Sequence, residues 1–365
     1  MDQNQVEVKK DTAQSPSTQQ PVISSDNSTG LILQIILMFI TLSVTGYIFY
    51  KPLFNFTCND PMPEVKPLDK NLITVIQKPN LVKVGLFIYG FSKFDILNDN
   101  FTFDGILFFE FDPTILNLER ISKFSFKNGN ILYKSEPQIK LNKDLVFVRY
   151  DIKAEIKSGL NYKLFPFASH RLNIVLDNNF LYIEEMAFKA PSSKFIVNPE
   201  VHVSGWQEHN KEVLYGYYNA QFQKFKSDST ISHPRVAFII EYLNNSTKEI
   251  LSIFLPLFMM FFMAVFSFGL DPIVYFHQIV GLASGSVTGM LSYRYVIHNI
   301  SPKVEYFMIS DIIYFTFLGL IIFIFLCSCQ MYDLTKKHKI FLSIFCNGVV
   351  IATFIYVFKI WNKLE

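Results

Sequence analysis

The chain has 365 residues, 50% of them hydrophobic, and its mean hydropathy of +0.25 is high for a soluble protein. Its 33 basic and 31 acidic residues leave a formal net charge of +2, too small an excess for binding nucleic acid. The apolar residues cluster in runs of about twenty, the length that crosses a hydrocarbon core of about 30 Å as a helix. The runs are 31–50, 250–270, 276–297, 307–331 and 340–361. This pattern predicts a multi-pass protein of the cell membrane, embedded in the lipid bilayer.

The N-terminal part of the chain combines a polar tail with the first apolar run. Residues 1–30 are rich in Gln, Ser, Asp and Thr, so they bury too little apolar surface to offset the entropy of ordering. They are predicted to be a disordered tail. Residues 31–50 follow this polar leader and lack a cleavage site of small residues, which distinguishes them from a signal peptide. They are predicted to be a retained transmembrane anchor helix.

Residues 51–249 predict a water-facing β-domain. Charges occur throughout, and short runs rich in Val, Ile, Phe and Tyr are separated by Asn, Asp and Gly turns. The clearest strand-like runs are 81–89, 101–111 and 145–156, and weaker ones are 172–176, 182–188, 213–225 and 236–242. Because no helical pattern separates them, they favour an immunoglobulin-like β-sandwich over a parallel sheet.

Residues 250–365 hold the remaining apolar runs, joined by short connections. Short connections make consecutive helices antiparallel neighbours, which predicts a four-helix transmembrane bundle. Lys336, Lys337 and Lys339 favour a cytoplasmic loop before the last helix, but lysines in other loops nearly balance them. The predicted orientation, with the β-domain outside, therefore rests on the order of the elements rather than on charge.

Several short motifs occur in a recognisable order along the chain. They are VKVGLFIYGFSKFDILNDNFTFDGILFFEFD at 82–112, LFPFASHRLNIVL at 164–176, GW at 205–206, HPRV at 233–236, LP at 255–256 and SPKVEYFMISD at 301–311. With these motifs the chain resembles the pentameric ligand-gated ion channels, also called Cys-loop receptors. The resemblance implies a homopentamer in which a small-molecule ligand or protons act on the external β-domain. It gives Phe165, Pro166 and Phe167 of the signature loop, and Pro302 of the later link, a structural role in coupling sensor to pore.

The departures from the family pattern concern the junction between sensor and pore. The cysteines that bracket the signature loop align with Ser158 and Leu172, so the chain is similar to the prokaryotic members, which lack the loop disulfide. Ala168 replaces the signature aspartate, and the last strand ends in Glu241-Tyr242-Leu243-Asn244 where the family usually has an arginine. Since both members of the usual ion pair are missing, the junction is predicted to be built differently. The N-terminal anchor is also additional to the family plan.

The second helix of the bundle carries one polar stripe. At 100° per residue, the stripe occupies an arc of about 100°, and the opposite face is apolar. Its members are His277, Gln278, Gly281, Gly285, Thr288, Ser292 and Tyr295. In a membrane such a stripe turns toward protein or water, and five copies would line a pore. The alternative is that Gly281, Gly285 and Gly289 form a small-residue series for close helix packing without any pore.

Two charged residues lie at matching depths in consecutive spans. Arg294 is eight residues before Pro302 and Asp311 nine after it, so both lie roughly 12–14 Å below the same outer turn. An unpaired charge at that depth is costly. We therefore predict an ion pair between Arg294 and Asp311. The alternative is that Arg294 extends outward to the interface and Asp311 accepts a local hydroxyl.

Ligand recognition is predicted, by resemblance, under the hairpin of the last two strands. Tyr215, Tyr217, Tyr218 and Phe222 lie there, and aromatic faces hold cations or stacked rings. Tyr215 and Tyr217 share one strand face and Tyr218 and Phe222 the other, so one pair is expected in the ordinary core. Enzyme motifs and metal-ligand spacings are absent from the sequence, which predicts no catalysis, no metal and no cofactor.

Together these features predict a subunit of a pentameric membrane channel that is gated by a ligand or by pH. The polar stripe and the 301–311 link favour this function. The alternative is a non-conducting, membrane-anchored receptor or assembly subunit on the same scaffold, which the glycine series and the missing ion pair favour. His277 at one end of the stripe is the only stripe residue that could carry a formal charge and so confer pH sensitivity.

Overall fold

The computed structural model describes residues 25–68, 80–142, 144–220, 231–244 and 247–364, and all structural statements concern these ranges. The described part of the chain starts with helix α1 (Ser25–Phe54), continues through a β-domain and ends in the helical bundle. Residues 25–30, predicted as part of the disordered tail, belong to the first turns of α1 instead. The rest of that predicted tail, and Phe222 of the predicted ligand site, lie outside the described ranges.

The β-domain contains two sheets. The strands are β1 (Asn80–Asp95), β2 (Asn100–Phe111), β3 (Ser125–Phe126), β4 (Gly129–Lys134), β5 (Gln138–Asn142), β6 (Leu145–Lys157), β7 (His170–Asp177), β8 (Met186–Lys189), β9 (Phe195–Val197), β10 (Trp206–Ala220) and β11 (Ile231–Asn244), with a short helix α2 (Leu118–Ile121). One sheet has the order β4-β6-β2-β1-β8, with β5 also on β6 and β9 on β1, and the other has the order β10-β11-β7-β3. Neighbouring strands are antiparallel except that β8 and β9 run parallel to β1.

A common apolar core lies between the two sheets. Alternate residues point inward, as the period of two predicts, so that Leu86 and Phe103 of one sheet face Ile174 and Phe238 of the other. All four side chains are fully buried. The prediction of a β-domain followed by apolar helices is therefore confirmed, while the immunoglobulin-like type of the domain stays a prediction.

The helices of the bundle are α3 (Thr247–Phe266), α4 (Pro272–Ile300), α5 (Ile309–Cys329) and α6 (Lys336–Leu364). Within the described ranges, four helices are long and apolar enough to cross a membrane: Thr29–Tyr50 of α1, Thr247–Gly269, Ile309–Cys329 and Lys336–Lys363. The protein is thus membrane-embedded and multi-pass. Helix α4 was predicted as a further span, but it is not among these four, and the polar stripe runs along it. It packs between α3 and α5, with Tyr314 donating a hydrogen bond to the Met290 carbonyl at 3.1 Å.

Helix α1 packs closely against the bundle rather than standing apart as a tether. Ser343 of α6 donates a hydrogen bond to the side-chain oxygen of Gln34, and Thr41 donates one to Asn347 at 2.7 Å. These four polar side chains are buried. Polar contacts of this kind hold helices together in lipid, where no water competes for them. Helix α1 is therefore a fifth helix of the apolar domain, in contact with α6.

Candidate functional site at the junction of the β-domain and the helices

The signature loop lies between β6 and β7 and contacts three helices. Phe167 stacks on Phe49 of α1 and on Phe254 of α3, with ring centroids 4.7 Å and 5.6 Å apart. The Lys163 carbonyl accepts the Ile309 N–H at 3.0 Å, so the loop also caps the first turn of α5. The loop thus occupies the position between the two halves of the chain that its predicted coupling role requires.

Ala168 lies in an apolar environment, where a carboxylate would have to lose its hydration at a large cost in free energy. Its side chain is buried with Phe167 and Phe254 in the core of the helical bundle. A buried carboxylate lies nearby instead, that of Asp60 in the segment that follows α1. Its carboxylate lies 3.0 Å from His170 Nδ1 and accepts the backbone N–H groups of Asn161 at 2.6 Å and Arg171 at 2.7 Å. The carboxylate at this junction is therefore supplied by the segment after α1, while position 168 of the loop is apolar.

The protonation of Asp60 follows from these contacts. Burial by itself raises the pKa of this carboxyl, but the hydrogen bond and charge of His170 and the two backbone N–H groups outweigh it and lower the pKa below its ordinary value. An ion pair lies beside this carboxylate, with Arg171 Nη2 2.7 Å from Glu241. Sequence reasoning singled out Glu241 but missed Asp60, His170 and Arg171. The His-Arg pair directly after the signature loop was the available signal.

Residues 55–67, here called the strap, connect α1 to the β-domain along the outer face of the four-stranded sheet. Hydrogen bonds join the strap to β7, β10 and β11 at successive points along its length. They are Asn173 Nδ2 to the Pro61 carbonyl at 3.1 Å, Arg235 Nη1 to the Glu64 carbonyl at 3.0 Å and Lys66 N to the Tyr217 carbonyl at 2.8 Å. Val65 adds apolar contact with Val175, Ala237 and Ile239. The outer face of this sheet is therefore covered by the chain itself.

Gly216 of β10 lies directly beneath the strap. A Cβ atom at this position would be 1.9 Å from the Lys66 carbonyl oxygen, a distance that no side chain tolerates. The absence of a side chain at Gly216 therefore allows the strap to lie on the sheet. The sequence offered no sign of this role, because Lys66 and Gly216 are far apart along the chain.

The predicted ligand-binding tyrosines occupy two faces of β10. Tyr218 lies on the outer face, where its ring covers the Arg235 guanidinium at 3.7 Å and its hydroxyl donates to Asn179 at 2.7 Å. Arg235 in turn forms a buried bidentate pair with Asp177, at 2.6 Å and 2.7 Å. The ring of Tyr218 thus already holds a cation of its own chain. Tyr215 and Tyr217 share the opposite strand face, and a ligand role for any of these residues stays a prediction.

The polar stripe of α4 faces away from the other helices of the same chain. All of its members are exposed: His277, Gln278, Gly281, Gly285, Thr288, Ser292 and Tyr295. On the opposite face Ile279, Ala283, Met290 and Ile297 are fully buried. A Cβ at Gly281 or Gly285 would meet nothing within 4 Å, whereas one at Gly289 would lie 3.0 Å from the Met260 sulfur. Of the glycine series, only Gly289 contacts a neighbouring helix of the chain in the described ranges.

The predicted ion pair between Arg294 and Asp311 is present. Arg294 Nη1 lies 2.6 Å from Asp311 Oδ1, and the second carboxylate oxygen accepts the Met308 N–H at 3.1 Å. Arg294 therefore does not extend alone to the interface. After the Pro302 turn, the Tyr306 hydroxyl accepts the Tyr162 N–H at 2.9 Å, which connects the α4–α5 link to the signature loop. Pro302 itself is buried.

We expect the Arg294–Asp311 pair to show strong coupling in a double-mutant cycle. The side chain of Arg294 is 37% exposed and that of Asp311 is 7% exposed, so solvent screens the pair only partly. Arg294→Gln and Asp311→Asn are each expected to destabilise the detergent-solubilised protein by about 1–3 kcal/mol, and the double variant by less than their sum. Thermal unfolding of the four proteins measures this. Additive effects would contradict the pair.

We expect Gly216→Ala to release the strap from the sheet. The readout is Cys58 of the strap, whose pKa burial and the neighbouring charge of Asp60 raise to about 12. Because only the thiolate reacts, Cys58 in a C327S/C329S/C346S background should react slowly with maleimide at pH 8 and at least tenfold faster in Gly216→Ala. Gly90→Ala is the control, since a Cβ there meets nothing nearer than 4.0 Å. Equal labelling rates in both variants would refute this role of Gly216.

We expect Asp60 to make the stability pH-dependent in the acid range. Its pKa in the folded protein lies below the ordinary unfolded value of about 3.9. The contribution of Asp60 to the free energy of unfolding is thus present above about pH 4. It is lost as the pH falls through the pKa of the folded protein. Asp60→Asn should lower the melting temperature at pH 7, and the difference from wild type should shrink below pH 4. A constant difference from pH 2 to 7 would argue against this carboxylate as the source.

No protein-family model matches the chain, and no curated protein matches it. The family resemblance of the motifs therefore remains an expectation. What the protein does is inferred from the polar stripe of α4, the ion pairs at the junction and the covered face of the sheet. These features are properties of the chain's own residues.

Proposed function

We propose that the chain is a subunit of a pentameric membrane channel, gated by a small molecule or by protons acting on the β-domain and conducting along α4. The observation that carries this proposal is the asymmetry of α4. One face is buried against the chain's own helices, while the polar face, centred on Gly281, Gly285 and Thr288, is exposed. A stripe of polar residues turned toward lipid is unfavourable, so it requires contact with other copies or with water.

Rotational symmetry provides that contact. In a closed ring, each copy presents the same face to the central axis. Helices spaced about 8–10 Å apart in a ring of five have their axes roughly 7–8.5 Å from the centre. With helices of about 5 Å radius, small side chains would leave an opening of a few ångströms. Three helices in a ring would leave almost none, so the small residues of the stripe suit the larger ring that the resemblance implies.

The contacts at the junction support the transmission of a conformational change from the β-domain to the proposed pore. The signature loop touches α1, α3 and α5, and Tyr306 connects it to the link that follows α4. The Arg294–Asp311 pair joins α4 to α5 in the outer part of the helix. A shift of the β-domain against the loop would therefore reach α4 through α5 and the link. We further propose that the β-domain is an immunoglobulin-like sandwich outside the cell, with Lys336, Lys337 and Lys339 on the cytoplasmic side.

A non-conducting receptor or assembly subunit is the second candidate. Gly281 and Gly285 are exposed with open space around them, which also suits close packing of α4 against helices of a neighbouring subunit. In that arrangement the stripe is dry. Access of water to Thr288 therefore distinguishes the two functions.

Ion flux through purified protein in liposomes tests the proposal. In a background without native cysteines, Thr288→Cys should conduct across some pH between 4 and 8 and lose that flux on treatment with a water-soluble, charged thiol reagent. Ile322→Cys on α5, exposed on the bundle surface, is the control, because a thiol facing lipid does not ionise and reacts slowly. A monomer in detergent, or an unreactive Thr288→Cys protein without flux, would exclude the channel.

A further inference from the structure

A cavity of about 350 Å³ lies between α1, the turn from α3 to α4 and the first turns of α6. Its walls include Leu33 of α1, Phe268 of the turn and Ile340 of α6, all apolar. Two lysines of α6, Lys336 and Lys339, also line it. The cavity lies at the end of the bundle remote from the β-domain and takes no part in the junction or the polar stripe.

The cavity lies at the depth of the lipid headgroups. Three of the apolar spans begin or end among its lining residues, at Thr29, Gly269 and Lys336. Tyr332 and Phe276 stack at the same end of the bundle, with ring centroids 4.7 Å apart. Such aromatic pairs are typical of the interface between hydrocarbon and water. The mouth of the cavity therefore faces headgroups and its apolar walls face the upper acyl chains.

The charge of the cavity suits a single anion. Lys336 and Lys339 are three residues apart on a helix, so both extend on the same side of α6. Asp271 also lines the cavity, but one of its carboxylate oxygens accepts the Ile273 N–H at 3.0 Å. Among the described lining residues, the two ammonium groups complement the single negative charge of a phosphodiester.

Helix α1 completes the site. A Cβ at Gly30 would lie 3.0 Å from the Gly269 carbonyl oxygen, so the backbone of α1 touches the α3–α4 turn at one side of the cavity. The buried hydrogen bond from Ser343 to Gln34, itself a lining residue, fixes α1 to α6 at the other. Both helices also expose apolar side chains deeper in the bilayer, including Ile36 and Ile344. These surfaces suit acyl chains continuing from a headgroup in the cavity.

We propose that this cavity binds the phosphate of an anionic glycerophospholipid, with Lys336 and Lys339 contacting the phosphate and the apolar walls contacting the glycerol and upper acyl chains. The ligand is the lipid rather than free phosphate, because the apolar residues of the cavity offer nothing to a small, fully hydrated anion. Basic cavities between membrane helices at the headgroup level recognise anionic headgroups in this way. The proposal goes beyond channel function and does not require that the protein conduct ions.

Native mass spectrometry of the full-length, detergent-solubilised protein tests the site. The probes are phosphatidylglycerol, phosphatidylcholine and inorganic phosphate. Wild type should retain phosphatidylglycerol and not phosphatidylcholine. The double variant Lys336→Gln/Lys339→Gln should bind it about 25-fold more weakly, roughly fivefold for each lysine near an anionic headgroup. The single variants Lys336→Gln and Lys339→Gln should each bind it about fivefold more weakly, and Lys337→Gln is their matched control, because it also removes one charge but from a position outside the cavity lining.

The outcomes separate the possible sources of binding. Weakening by Lys337→Gln equal to that by Lys336→Gln or Lys339→Gln would overturn the site, since it would indicate general surface charge. Displacement of phosphatidylglycerol by inorganic phosphate at millimolar concentration would overturn the lipid assignment. Melting curves of the variants in phosphatidylcholine micelles verify folding. The rise in melting temperature on addition of phosphatidylglycerol is an independent second measurement, and we expect it to be lost only in the double variant. None of these readouts depends on ion flux.

Discussion

The carboxylate of Asp60 accepts hydrogen bonds from groups that belong to the signature loop and to the start of β7. Because it is buried, this charge is stable only while all of those donors remain in place. Asp60 belongs to the strap, and the strap continues directly from α1, so the same carboxylate also fixes the position of the first membrane helix. Asp60 thus joins strap, loop and sheet at one buried point, beside the further contacts of the strap with the sheet.

Because Asp60 carries the buried negative charge of the junction, the signature loop itself can contact the helices through apolar side chains. With an alanine at position 168, the loop has an apolar surface, and Phe167 enters a stack with Phe49 and Phe254. A charged side chain at that position would have to be desolvated in the same environment. The junction thus combines an apolar contact between the loop and the helices with two polar contacts beside it, Asp60 with His170 and Arg171 with Glu241. Helix α1 and the signature loop are therefore parts of a single arrangement.

The features that could be predicted from the sequence are those that depend on local periodicity. The strands, the polar face of α4 and the matched depths of Arg294 and Asp311 all follow from residue spacing along one element or two adjacent ones. The strap has no such period, and its partners are remote, with Asp60 and His170 separated by 110 positions. The contact of Lys66 with Gly216 is likewise invisible before the fold is known. The polar residues Gln34 and Thr41 in α1 were the sequence sign that this helix is packed rather than isolated, and the prediction of a simple anchor overlooked them.

The hydrogen bonds between α1 and α6 join the two ends of the chain, since Thr41 and Asn347 are 306 residues apart. A ribosome synthesises α1 first and α6 last. During nearly the whole of translation, Gln34 and Thr41 are in the membrane without the partners they have in the finished protein. Helix α1 therefore gains these two hydrogen bonds only when α6 inserts, and a product lacking α6 would leave Gln34 and Thr41 without these partners in the bilayer.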